Sequence, residues 1–256
     1  MGNLAKPILR MQLSSFFLFL AIFTSLSLSA QITDTAWQNF NTDNSALPDN
    51  FVSDIEVTDD GTVWVATWGG GLVKINNDQW TVYNADNSGL PSNLINHMSF
   101  DRNGVLWLAT DGDITRFDGV NWKVIRLPAK ENIALTIEAD PQGRIWVGTY
   151  DQGLYRYDGR HLKKMWGGYK SMDYGVNDIL FDREGNAWLA TRIGLLQYKE
   201  ENWTLYDTTH PELTANVYYQ LSMDSKGHVW AATYPPGNYA RWDGDDWAMF
   251  QEPRPS

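Results

Sequence analysis

Asp140-Pro141-Gln142-Gly143-Arg144-Ile145-Trp146-Val147-Gly148-Thr149 is the stretch whose recurrence decides the fold. Its tryptophan is one of five, Trp64, Trp107, Trp146, Trp188 and Trp230, spaced 43, 39, 42 and 42 residues apart. Around each of them glycine stands three residues before, a small residue two after and threonine three after. Aspartate stands six before in four copies, with Thr58 in the first. Self-similarity at such a period means stacked supersecondary units, none of which buries its apolar faces alone.

Three further runs keep the period. One ends each unit as Trp-x-x-aromatic or its equivalent: Trp80 to Tyr83, Trp122 to Ile125, Leu162 to Met165, Trp203 to Tyr206 and Trp247 to Phe250, with a sixth copy at Trp37 to Phe40. Another reads Leu72 to Ile75, Ile114 to Phe117, Leu154 to Tyr157, Leu195 to Tyr198 and Tyr239 to Trp242. The last precedes each cassette, as in Val52 to Val57, Ile95 to Phe100 and Val176 to Phe181. Short β-branched and aromatic runs cut by Gly, Pro and Asp-Gly are strands, and no stretch beyond residue 30 sustains a helical apolar period. Each unit is therefore four strands, which predicts an all-β fold, a β-propeller of five four-stranded blades closed into a ring. The blades are expected at about residues 50–84, 93–126, 132–166, 174–207 and 216–250 of a single domain, 31–256. The spare strand at 37–40 is expected to clasp the outer edge of the last blade near Trp247 to Phe250, and the closed ring to be a monomer.

Residues 1–30 read differently. Lys6 and Arg10 precede an apolar run, Phe16 to Leu28, that ends in Leu28-Ser29-Ala30, the pattern of a cleaved secretory signal peptide. A periplasmic or secreted location follows, with no stable membrane insertion after cleavage. The chain has no cysteine and a formal net charge of −11, and loss of the leader leaves 18 basic against 31 acidic residues. That balance argues against nucleic acid as a partner.

Two sets of residues vary where the framework does not. Four residues past each core tryptophan stand Trp68, Asp111, Tyr150, Arg192 and Tyr234, at the end of the second strand and on the face that carries the long loops. Aromatic faces beside charges suit a sugar ring or another amphipathic small ligand, and this set is the candidate ligand-binding site. Ten residues before each tryptophan stand Asp54, His97, Thr136, Asp178 and Gln220, on the strand nearest the axis, a channel-lining set. Its spacing matches no metal-ligand pattern, so a hydrated polar channel without metal is expected. The four histidines, His97, His161, His210 and His228, fall on different elements, no catalytic constellation assembles, and no cofactor is implied.

The cassette Asp-x-x-Gly-x-[apolar]-Trp-[apolar]-[Gly/Ala]-Thr, followed by Leu-x-Arg-Tyr-Asp, resembles the two-component regulator propeller repeat, most closely over Asp140 to Asp158 and Asp101 to Asp118. Leu47-Pro48-Asp49-Asn50 and Leu90-Pro91-Ser92-Asn93 are similar to the inter-blade segment of that family. The resemblance implies a periplasmic sensor-type propeller that binds a ligand, often a glycan. Five copies are fewer than sensor ectodomains carry, so a stand-alone exported binding module without catalysis is expected. Its partner would be a small molecule or glycan, or else an envelope protein for which the propeller is a scaffold; a lyase or hydrolase is the third reading.

Overall fold

The computed structural model describes residues 8–11, 37–128, 133–165, 175–234 and 238–251. Two short strands, β1 (Ile8–Met11) and β2 (Trp37–Phe40), precede five four-stranded sheets. The first sheet is β3 to β6 (Val52–Val57, Val63–Thr67, Leu72–Asn76, Gln79–Tyr83) and the second β7 to β10 (Ile95–Phe100, Leu106–Thr110, Asp113–Phe117, Trp122–Arg126). The third is β11 to β14 (Ala134–Ala139, Ile145–Thr149, Leu154–Tyr157, Leu162–Met165) and the fourth β15 to β18 (Val176–Phe181, Ala187–Thr191, Leu195–Lys199, Asn202–Tyr206). The fifth is β19 to β22 (Tyr218–Met223, Val229–Thr233, Asn238–Trp242, Trp247–Gln251). Within each of the five four-stranded sheets the strands pair in chain order and run antiparallel. These are propeller blades, the fold class that the sequence period predicts.

The chain divides into two compact units, Met1–Ile95 with the first blade and Asn96–Ser256 with the strands of the other four. In the second unit each core lies between successive blades. Trp107, Ile114 and Leu127 pack with Ile137, Val147 and Tyr155. Trp146 and Leu154 pack with Val176 and Leu189, and Trp188 and Leu195 with Tyr218, Ala231 and Trp247. A sheet covered on both faces reads as an unbroken apolar run, which is why β8, β12 and β16 are buried at every residue. The fourth strands β6, β10 and β18 mix half-buried and exposed positions, as an edge strand with one wet face does. Asn96 and Asn177 each donate from the side-chain amide to the first carbonyl of the next blade, Ala134 at 2.8 Å and Tyr218 at 2.7 Å, so polar latches join neighbouring first strands. In the first unit Leu47, Val52, Val65 and Val73 form the core, and Phe40 packs on Trp80 at 5.4 Å.

The cassette aspartate organises its turn and the tryptophan together. Asp140 accepts the backbone N–H of Gln142 at 3.0 Å and of Arg144 at 2.8 Å, and its other oxygen accepts the indole N–H of Trp146 at 2.9 Å. Asp101, Asp182 and Asp224 repeat the arrangement with Trp107, Trp188 and Trp230 at 3.0 to 3.1 Å. At Asp224 burial pushes the carboxyl upward, but hydrogen bonds from Trp230, His228 and Lys226 outweigh it and hold the group at about 2. Gly143, at φ +80°, turns the chain where an L side chain would be strained. The cassette threonines close the opposite end of the strand: Thr67 and Thr149 donate to the carbonyls of Gly71 and Gly153, each at 2.8 Å.

The N-terminal strand departs from expectation. Trp37–Phe40 is a strand, but it pairs in parallel with Ile8–Met11, and the fifth sheet consists of its own four strands. An open strand edge accepts any extended segment that offers backbone groups, so local sequence does not name its partner. Ile8–Met11 lies inside the stretch read as a leader; the rest of that stretch falls outside the described residues.

Candidate functional site

The positions four residues past the core tryptophans lie where the second strand of each blade ends. Backbone pairing fixes them: the N–H of Trp68, Tyr150 and Tyr234 donates to the carbonyl of Phe51, Ile133 and Val217, at 3.0, 2.9 and 2.9 Å. Each acceptor is the residue just before its blade's first strand. Held there, Trp68, Tyr150 and Tyr234 are 50%, 46% and 51% exposed, although most other large aromatics among the described residues are buried or half-buried. Asp111 is exposed and Arg192 half-buried.

In the first unit Trp68 stacks on Phe51, ring centroids 6.4 Å apart and planes within 11°. Phe51 is itself 52% exposed, so the two near-parallel rings make an apolar platform. The following Gly69-Gly70 lies close against Asp49 and Pro48: a Cβ on Gly69 would meet the Asp49 carboxylate at 2.8 Å, and one on Gly70 would meet Pro48 at 2.5 Å. In the second unit the Arg192 guanidinium sits 4.3 Å from the centre of the Tyr150 ring, and Tyr234 meets Tyr219 edge-on at 5.6 Å. The structure therefore brings Tyr150 and Arg192 together and gives Trp68 and Tyr234 aromatic neighbours that sequence reasoning missed. Phe51 could have been found as the one aromatic residue preceding a first strand; the other units have Leu94, Ile133, Gly175 and Val217 there.

The second set lies on the first strands. In four blades the register slips just before Asp54, Thr136, Asp178 and Gln220, a bulge that re-aims the side chain. Asp178 is a brace. Its carboxylate accepts the N–H of Ile179 at 2.8 Å, that of Leu221 in the next blade at 2.7 Å and the hydroxyl of Thr136 at 3.4 Å. His97 donates from Nδ1 to the Ile137 carbonyl at 3.1 Å, which leaves Nε2 4.0 Å from Asp178. His97, Thr136 and Asp178 thus meet, with the carboxylate oxygens occupied by protein donors. Among the described residues no cluster of His, Asp and Glu is placed to hold a metal ion. His161, His210 and His228 each sit beside an acid, Asp158, Glu212 and Asp224 respectively.

Fold and site together define a β-propeller assembled from short tandem repeats, with its variable residues at strand ends. Residues 46–69, 89–112 and 128–151 match the family model of the two component regulator propeller, so these stretches are repeats of that family. Among solved structures the chain is similar to the extracellular domain of the hybrid two component system BT3049 from B. thetaiotaomicron, at 18% identity and a TM-score of 0.69, over 86% of this chain and 31% of that one. It spans about a third of that domain. Virginiamycin B lyase from Staphylococcus aureus is similar at 18% identity and a TM-score of 0.68, over 80% of this chain and 71% of the lyase. PorZ, a surface component of the type-IX secretion system of Porphyromonas gingivalis, is similar at 16% identity and a TM-score of 0.59, over 75% of this chain and 32% of PorZ. At these identities the likeness is one of fold. No curated protein matches the sequence.

Proposed function

We propose that this chain is an exported binding module that recognises an oligosaccharide, or a small ligand of similar amphipathic character, on the aromatic residues at its strand ends, without turning it over. The observation that carries the reading is the half-exposed, nearly parallel pair Phe51 and Trp68. A folded chain gains by covering such rings, and a flat apolar face of this kind complements the C–H face of a pyranose. Asp49, which orients Phe51 by accepting its backbone N–H at 3.0 Å, supplies an acceptor for hydroxyls beside the platform. Tyr150 and Tyr234 offer the same chemistry within the second unit.

Glycan-array screening followed by calorimetry tests the reading. Trp68→Ala is expected to weaken binding about tenfold, in keeping with the loss of one well-stacked aromatic. Equal binding by wild type and by the Trp68→Ala, Tyr150→Ala and Tyr234→Ala variants would remove this site from consideration. A second reading, a docking scaffold in an envelope assembly, has behind it the fold likeness to PorZ. An envelope protein retained on the immobilised chain and not displaced by any retained sugar would favour it. Product formed from a bound sugar and abolished by His97→Ala would instead favour catalysis.

Export rests on the basic, apolar and small-residue order of Lys6 to Ala30. The protein recovered from its native cells is expected to begin at Gln31, in the periplasm or the medium. N-terminal sequencing that returns residues before Phe16 would contradict cleavage.

A further inference from the structure

We propose that Arg192, held against Tyr150, is an oxyanion subsite, and that the ligand is an acidic oligosaccharide carrying a carboxylate or a sulfate ester. This rests on the reading of the strand ends as a glycan site and names the class of glycan. Three observations converge on it.

The guanidinium lies 4.3 Å from the centre of the Tyr150 ring. Seated there, its position is set by the ring, and its N–H donors are kept for an acceptor from outside. The arginines that do meet a carboxylate, Arg116, Arg126, Arg144 and Arg241, are occupied by Asp118, Asp113, Asp140 and Asp243. Among the described residues Arg192 forms no ion pair, in a chain with 31 acidic and 20 basic side chains.

Space for the pair is built in. Gly175 stands where the other units carry Phe51, Leu94, Ile133 and Val217. A Cβ at that position would lie 2.6 Å from the Tyr150 carbonyl oxygen and 3.3 Å from Nε of Arg192. The one unit that places arginine at the strand end is thus the one that omits the neighbouring side chain. A fixed, half-buried fork of donors beside a half-exposed tyrosine suits an oxyanion on a hydroxylated ring: two parallel N–H···O bonds to the anion, with the ring against the aromatic. Because the remaining charge of the chain repels anions at a distance, selection for acid is local to this arginine.

The test uses the full chain on a panel of uronate-containing and sulfated oligosaccharides, each beside its carboxyl-reduced or desulfated counterpart. Acidic members are expected to bind at least about tenfold more tightly than their neutral partners, a preference that shrinks as salt rises. Arg192→Gln should abolish the preference and leave the neutral sugars unchanged, while Arg192→Lys, which keeps the charge without the fork, should restore only part of it. Retention of the uronates or of the sulfates identifies the oxyanion. Equal binding of acidic and neutral partners, or an acid preference that survives Arg192→Gln, overturns the subsite and leaves the glycan reading intact. Retention of no member of the panel overturns both.

Discussion

Trp188→Ala is expected to destabilise the protein by about 3–5 kcal/mol, the cost of emptying a buried aromatic site that its surroundings cannot fill. Trp188 is fully buried between the fourth and fifth blades. Its ring lies 5.8 Å from Tyr206, 5.9 Å from Trp242 and 5.8 Å from Trp247, so one truncation unpacks three other aromatics. The equivalent Trp230 is only half-buried, with Phe250 at 5.1 Å and Arg241 over its face. Trp230→Ala should accordingly cost roughly half as much. Urea denaturation of the two variants beside wild type measures both, and a larger loss at Trp230 would contradict the placing of the core between these blades.

Asp140→Ala is expected to cost about 3–4 kcal/mol, through orphaned donors and not through lost volume. The carboxylate is buried and takes the N–H groups of Gln142, Arg144 and the Trp146 indole, together with the Arg144 side chain. Removing it leaves a buried indole N–H and a guanidinium without their acceptor. Asp140→Asn keeps the shape but replaces one acceptor oxygen with a donor, so about half of the loss should remain. Asp101→Ala, at a more exposed copy of the same turn, should cost less than Asp140→Ala. Equal midpoints for Asp140→Ala and wild type in thermal or urea unfolding would show that the turn, and not the aspartate, holds the tryptophan.

Much of the fold can be read from the chain because its determinants are local. The run Ile145 to Gly148 is apolar throughout since both faces of its sheet are covered, and Gly143 marks the turn before it. The purpose of Asp140 is less legible: aspartate before a turn is common, and the partner that distinguishes this one is an indole on the strand beyond. The bulges before Asp54 and Asp178 leave no trace in residue type, because a bulge is a relation between two strands. The partner of Trp37–Phe40 is likewise a choice among edges, which the strand's own residues do not make.

The candidate site divides in the same way. Trp68, Tyr150 and Tyr234 stand out in sequence because they break a regular pattern with large rings, and in the structure all three are half-exposed. Phe51 and Gly175 acquire meaning only from neighbours in space, Trp68 for one and the Tyr150 and Arg192 pair for the other. A glycine in a loop is unremarkable until something occupies the volume that it leaves.

The bond from aspartate to indole spans six residues of chain, and donor, acceptor and turn all fall within one cassette. A duplicated segment therefore brings its own lock with it and needs no matching change elsewhere in order to set its strand. Lengthening or shortening such an array requires only new contacts at the junction, a lesser demand than redesigning a core. The unit that folds is the unit that can be copied, and the variable positions at its strand end are then free to diverge copy by copy.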